Sequence, residues 1–104
     1  MIVWSEKLYI GEQAEKNCKK VQKKLESGKL VPGFFLITRP SNEGNLFDIL
    51  PATELLFPYY KRQELLVYGL AKGKAEAEEL VLSMLEDVYR KTDGLCCKEY
   101  FKTE

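Results

Sequence analysis

Between positions 12 and 28 the apolar residues recur at the spacing of an α-helix. All of them fall at i, i+4, i+7 and i+11 on one narrow stripe: Ala14, Cys18, Val21 and Leu25. Gly28 follows at the position where a glycine often ends a helix. The pattern therefore predicts a first helix over residues 12–27.

Further apolar runs have the composition of β-strands. Residues 33–38 are aromatic and β-branched, and residues 46–50 are largely apolar. Because turn formers fill residues 39–45 between them, these two runs predict a β-hairpin. Residues 64–71 predict another strand, and residues 2–4 predict either a short strand or an N-terminal plug of the core.

The clearest helical pattern covers residues 74–92. Its apolar side chains form one wide face: Ala77, Val81, Met84, Leu85 and Val88. Asp93 and Gly94 then stop the helix. The tail over residues 95–104 is expected to pack its large apolar side chains onto the body: Leu95, Tyr100 and Phe101.

Two prolines mark a short helix before the strand at 64–71. Pro51 stands at a favourable first-turn position, and Pro58 ends or kinks the helix. This segment can serve as a right-handed crossover that makes residues 46–50 and 64–71 parallel. The fold class is therefore α+β: a two-layer sandwich with a small mixed sheet of three to four strands, a hairpin plus one crossover strand, covered by two main helices and the short helix.

Length and charge limit the classes of protein to which this chain can belong. The 104 residues are expected to form one globular domain over 1–104. With 16 basic and 16 acidic side chains the formal charge is zero, so no overall field attracts nucleic acid or an anionic membrane. No apolar run approaches the ~20 residues that span a bilayer, and no secretory signal is visible. These features predict a cytoplasmic protein without a membrane partner.

Histidine is absent from the chain, and this limits its chemistry. A Ser-His-Asp triad, a Cys-His pair and histidine metal ligands are excluded. Three cysteines cannot all pair, and two of them are adjacent, which predicts reduced, structural thiols: Cys18, Cys96 and Cys97. We therefore expect no catalytic residues, no metal site and no cofactor, and an enzyme is the less favoured class.

The turn Lys72–Gly73–Lys74 is a candidate anion-binding site. It lies between a predicted strand and a helix, where free backbone N–H groups and two lysines attract negative charge. It is not a Walker A loop, because only three residues separate Gly69 from Gly73 and Ala75 replaces the required hydroxyl. A tight turn with two solvated lysines is the favoured alternative.

A candidate interaction surface follows the short helix. It joins aromatic to basic residues, a combination typical of protein interfaces: Phe57, Tyr59, Tyr60, Lys61 and Arg62. In the alternative interpretation the tyrosines cover an edge of the core while their hydroxyl groups reach solvent.

Residues 16–29 hold six lysines and one acid, Glu26, for a local charge of +5. Such a face suits phosphates or an acidic partner helix, and the helix at 74–92 is itself rich in glutamate near its start. A solvated face is the favoured alternative. Nucleic acid binding is a weak alternative, because neither arginine nor stacking aromatics accompany the lysines.

Asp48 is the one acid in an otherwise apolar strand. It is either a buried carboxylate with a shifted pKa, and then a catalytic suspect, or a solvent-facing charge that protects a sheet edge. Glu54 is close enough in sequence to form a carboxylate pair with it.

Residues 45–56 and 67–80 resemble segments of a group of small, uncharacterised bacterial α/β proteins with a strand–Ala-Lys-Gly–helix element. The resemblance implies a small α/β domain and carries no activity with it. The leading hypothesis is a non-enzymatic interaction or regulatory domain that self-associates or binds a protein. The alternative is a domain that binds, or acts on, a small anionic ligand at residues 72–74.

Overall fold

A computed structural model of the chain describes residues 2–40, 46–61, 64–94 and 100–101. Four strands form one mixed sheet, in the order β1 (Ile2–Ile10), β4 (Leu65–Lys72), β2 (Phe34–Thr38) and β3 (Asp48–Pro51). Strand β1 runs parallel to β4, whereas β2 is antiparallel to both β4 and β3. The predicted α+β class and the predicted mixed sheet are confirmed.

The predicted β-hairpin is present, and so is the predicted crossover to a parallel β4, although β3 and β4 are not neighbours in the sheet. Strands β2 and β3 pair from Phe35 opposite Pro51 to Thr38 opposite Asp48. Strand β4 is buried from residue 66 to residue 71, and β1 and β2 flank it on its two sides. Strand β3 lies at the edge of the sheet, next to β2. Because β2 is antiparallel to both β3 and β4, these two strands run in the same direction with β2 between them, and the segment after Pro51 is the predicted crossover between parallel strands.

Strand β1 is much longer than the short strand predicted at residues 2–4. It pairs with β4 at both ends, but its register shifts between Trp4 and Tyr9. Glu6 and Lys7 are exposed within this irregular stretch, which interrupts the regular alternation that identifies a strand in a sequence. The bulge also breaks up an edge that would otherwise offer a continuous row of unpaired backbone groups.

Helix α1 (Cys18–Glu26) follows a 3₁₀ turn at Glu15–Asn17. It ends as predicted at Gly28, which has a φ of 77°. The N–H of Gly28 donates to the carbonyl of Leu25 at 3.1 Å, and the N–H of Lys29 donates to that of Lys24 at 2.9 Å. These two bonds form a Schellman motif, which satisfies carbonyls that the end of the helix leaves open.

The segment after β3 contains two short helical pieces. A 3₁₀ helix, Ala52–Leu56, follows directly after Pro51, in agreement with the predicted start. Phe57 is extended, as expected for a residue that precedes a proline. Pro58 then begins a second piece, α2 (Pro58–Lys61), where its fixed φ suits the first turn of a helix.

Helix α3 (Lys74–Thr92) has the predicted bounds. It starts after Gly73, whose φ is 85°, and it ends at Asp93, whose φ of 59° lies in the left-handed region. The N–H of Asp93 donates to the carbonyl of Tyr89 at 2.8 Å, which closes the last turn. The stop predicted at Asp93 and Gly94 is confirmed.

The core consists of two clusters of buried side chains. Consecutive residues of β2, Leu36 and Ile37, belong to different clusters, because side chains alternate between the faces of a strand. Helices α1 and α3 therefore cover opposite faces of the sheet. The α1 cluster contains Ala14, Val21, Leu25, Val31, Phe34, Leu36, Leu50, Ala52, Val67 and Leu70. The α3 cluster contains Ile37, Leu66, Tyr68, Met84, Val88 and Phe101.

The tail packs onto the α3 cluster. Phe101 is only 3% exposed and stacks on Tyr68, with ring centroids 4.1 Å apart and planes at 14°. Tyr100 is half-buried beside it, with its ring centroid 4.9 Å away. The predicted packing of these two tail aromatics is confirmed, whereas Leu95 lies outside the described residues.

Candidate functional site

An apolar groove of about 430 Å³ opens where α1 ends and where β1 and β4 begin. Apolar side chains from five segments line it: Ile2, Leu25, Leu55, Leu56, Tyr60 and Leu65. Its remaining lining comes from the end of α1 and the Schellman turn, residues 26–29. We call this feature the apolar groove.

The walls of the apolar groove are fixed by the local structure around them. Leu25 belongs to the α1 cluster and is 5% exposed, so α1 is anchored at this end. The indole Nε1 of Trp4 donates to a carboxylate oxygen of Glu26 at 3.1 Å, which ties the last residue of α1 to β1. On the other side, Leu55 and Tyr60 pack against the same cluster.

Two large hydrophobic side chains are exposed at positions next to lining residues in the chain. Phe57 and Leu30 are each 57% exposed, and each directly follows a lining residue in the chain, Leu56 and Lys29 respectively. Large apolar side chains that remain exposed beside an apolar depression are typical of an interaction surface.

The aromatic residues of the predicted interaction surface divide into two roles. Tyr59 is 60% exposed, whereas Tyr60 is half-buried and lines the groove. Their rings meet edge to face, with centroids 5.0 Å apart. Burial, reinforced by the charge of Glu54, raises the pKa of the Tyr60 hydroxyl above its usual value. Lys61 ends α2, and Arg62 lies outside the described residues.

Asp48 and Tyr59 border a smaller cavity of about 200 Å³, with Arg39 and Glu64 among its other lining residues. Asp48 is half-buried on the edge strand β3, in keeping with the edge position considered for it. Lys72 does not line this cavity. The candidate anion site and the aromatic surface are therefore separate places on the molecule.

The predicted anion turn borders a polar cavity of about 680 Å³, which Lys72 and Lys16 help to line. An internal carboxylate already binds its backbone: Glu76 accepts from the N–H of Lys72 at 2.7 Å and from the N–H of Gln13 at 2.5 Å. The N–H of Gly73 donates to the carbonyl of Gly33 at 2.8 Å, and Lys74 is exposed. Two of the turn's backbone donors are thus bonded within the chain.

The lysines of residues 16–29 are all exposed: Lys16, Lys19, Lys20, Lys23, Lys24 and Lys29. In the described part of the chain, no ion pair joins any of them to an acidic side chain; the ion pair found there is Arg90 with Glu86, at 3.6 Å. The positive charge of α1 is therefore directed to solvent, where a partner can reach it.

Sequence reasoning missed a polar network beneath the tail. The hydroxyl of Tyr9 lies 2.7 Å from a carboxylate oxygen of Asp87, to which it donates, and 2.7 Å from the hydroxyl of Tyr100. Burial is the largest cause that raises the pKa of Tyr9, followed by these hydrogen bonds. The Nζ of Lys7 donates to the carbonyl of Tyr100 at 2.9 Å and lies 4.2 Å from its ring centroid. No sequence signal joins residues this far apart.

No family model, no curated protein and no solved structure matches this chain. None of the described helices is both long enough and apolar enough to cross a bilayer. Within residues 2–40, 46–61, 64–94 and 100–101, no three potential metal-ligating side chains of His, Cys, Asp or Glu come together.

Proposed function

We propose that this chain is a non-enzymatic protein-interaction domain that binds a partner through the apolar groove. The observation that carries the proposal is a depression lined by six apolar residues, with the exposed Phe57 and Leu30 each following a lining residue in the chain. A partner that covers them removes apolar surface from water at both the groove and its rim.

The chemistry of the groove fits a peptide or helix better than a reactive small molecule. The lining of the groove is largely apolar, and Glu26 and Lys29 form a polar edge. This arrangement matches the apolar centre and polar rim of protein interfaces. Burying one large apolar side chain contributes about 1.5–3 kcal/mol, so two or three anchors support a specific complex.

The second candidate, an anionic ligand at residues 72–74, has weaker support. The carboxylate of Glu76 already accepts the N–H of Lys72, and any ligand at that N–H would have to displace it. Glu76 and Glu79 also line the adjoining cavity and repel a second anion.

Selection of peptides from a random library against the purified domain tests the proposal. We expect the selected peptides to bind the wild type and to lose at least about tenfold in affinity for Leu56→Glu, which places a charge in the apolar groove. The matched control is Leu46→Glu, since Leu46 is exposed and does not line the groove. Thermal unfolding verifies that both variants fold.

Two results would overturn the proposal. One is a set of peptides that binds wild type and Leu56→Glu equally. The other is a selection that yields no binding peptide at all.

A further inference from the structure

The outward side of α3 carries an apolar stripe that no described part of the chain covers. Ala75, Leu82 and Tyr89 recur every seven residues and share one side of the helix, opposite the buried Ala77 and Met84. Leu82 is 63% exposed and Tyr89 is 57% exposed. Large apolar side chains exposed on one side of a helix are typical of a surface that packs against a partner.

Acidic side chains flank this stripe. Glu78, Glu79 and Glu86 are all exposed and lie within one turn of Leu82. Of these, Glu86 pairs with Arg90 on the same helix, and side chains exposed to this extent exchange such partners at little cost. The outer side of α3 is therefore the surface of an acidic amphipathic helix.

The opposite face of the molecule offers the complementary surface. Lys19, Lys23 and Glu26 are spaced i, i+4 and i+7, so they lie on one side of α1. Glu26, the last residue of α1, lines the apolar groove. Lys29 lines the groove as well. A helix lying in the groove would thus have apolar contacts beneath it and lysines along its side.

We propose that the occupant of the apolar groove is α3 of a second copy of this chain. This inference rests on the proposed function and names its partner. In this head-to-tail contact, the Leu82–Tyr89 stripe of one copy enters the groove of the next. The glutamates beside the stripe then face Lys19 and Lys23, whose positive charge is not paired with a described acid.

The geometry makes the contact heterologous. Since α1 and α3 cover opposite faces of the sheet, a first contact leaves the stripe of one copy and the groove of the other free. The copies therefore assemble in open series or in rings. A symmetric pair of α3 helices crossing antiparallel at Leu82 is disfavoured, because it sets Glu86 against Glu78 and Arg90 against Lys74.

Two variants test the contact by sedimentation velocity at low salt, and each of them alters only one of the two contacting surfaces. Lys19→Ser/Lys23→Ser removes the charge beside the groove, and Leu82→Ser/Tyr89→Ser removes the stripe. We expect wild type to form species that grow with concentration, and each variant alone to associate at least about tenfold more weakly. An equal mixture of the two variants restores one good contact and gives a 1:1 heterodimer and nothing larger.

The matched control is Lys16→Ser/Lys72→Ser, which removes two exposed lysines that line the polar cavity instead of the apolar groove and should assemble like wild type. Raising the salt to about 0.5 M, where charges are screened within a few ångströms, should weaken the wild-type assembly. A wild type that stays monomeric at millimolar concentration, a wild type that stops at a dimer, or a mixture without heterodimer would overturn the inference.

The two proposals fail in different ways. In one outcome, wild type is monomeric while selected peptides still bind at the groove and Leu56→Glu abolishes their binding. In that case the groove is an interaction site, and only the identification of a second copy as its partner is wrong. If neither peptides nor a second copy bind there, the groove is not an interaction site.

Discussion

The carboxylate of Glu76 crosses directly over Gly11. A Cβ atom built on Gly11 would lie 2.5 Å from the carboxylate carbon of Glu76, far inside van der Waals contact. In this position Glu76, the third residue of α3, holds the backbone of Gln13 and Lys72 together. The side chain thus joins the end of β1, the end of β4 and the start of α3, and the missing side chain of residue 11 makes this possible.

Gly11→Ala should lower the free energy of unfolding by about 1–3 kcal/mol, as measured by urea denaturation. The new methyl group forces the Glu76 carboxylate away and breaks two charge-assisted hydrogen bonds. The same substitution in a Glu76→Ala background should cost much less, because nothing then occupies the space. Equal costs in the two backgrounds would show that Glu76 is not the reason for the glycine.

Gly69→Ala should destabilise the domain by about 1–3 kcal/mol through overpacking. The added Cβ would lie 3.1 Å from the Cδ1 atom of Ile37 and 3.3 Å from a methyl carbon of Leu80. Ile37 is fully buried and has little room to move. Ile37→Val removes that Cδ1 atom, so thermal melts should show a smaller cost of Gly69→Ala in its presence. An unchanged cost would contradict the close contact between Ile37 and Gly69.

Tyr9→Phe should remove about 1–2 kcal/mol of stability at neutral pH, because two hydroxyl hydrogen bonds are lost. It should also alter the alkaline limb of the pH–stability curve. The pKa of Tyr9 is raised in the folded state, so above pH 10.0 the unfolded chain releases this proton and the folded chain keeps it. Wild type therefore loses stability from this group as the pH rises above its usual pKa.

The measurement is denaturant unfolding at a series of alkaline pH values. The fall in stability should be shallower for Tyr9→Phe than for wild type. Tyr89→Phe is the matched control, since Tyr89 is exposed, and its curve should parallel that of wild type. Parallel curves for all three proteins would refute the raised pKa.

Phe101→Ala should cost about 2–4 kcal/mol in the free energy of unfolding, since a buried ring is lost from the stack on Tyr68. Tyr100→Phe, which keeps the ring beside it, should cost only about 1 kcal/mol. Denaturant titrations followed by circular dichroism give both values. If Phe101→Ala is as mild as Tyr100→Phe, the tail contributes little to the core.

Local pattern predicted the helices and the β-hairpin of this fold well. Leu25 and its stripe, the stop at Gly28 and the bounds of α3 all depend on residues within a few positions of one another. The extent of β1 was not predictable in this way, because Glu6 and Lys7 interrupt its apolar pattern at the bulge. The strands that pair with β4 were not predictable from local pattern either, because strand pairing depends on packing over the whole sheet.

The candidate site was predictable only in part. Phe57 and Tyr59 were identified by their residue types, and their exposure in the structure is in keeping with an interaction surface. The groove beside them was not foreseen, because Ile2, Leu25 and Leu65 meet only after the sheet and α1 are assembled. The carboxylate over Gly11 was missed for a related reason, since Gln13 and Glu76 are far apart in the chain.

The parallel pairing of β1 with β4 also has a consequence for biosynthesis. Strand β1 leaves the ribosome about sixty residues before its partner strand, so its apolar side chains wait for synthesis to reach residue 72. During that interval the charged Glu6 and Lys7 interrupt the apolar pattern of the waiting strand, which disfavours its pairing with other chains. We therefore expect these two charges to suppress aggregation of the nascent chain, and their replacement by apolar residues to lower the yield of folded protein.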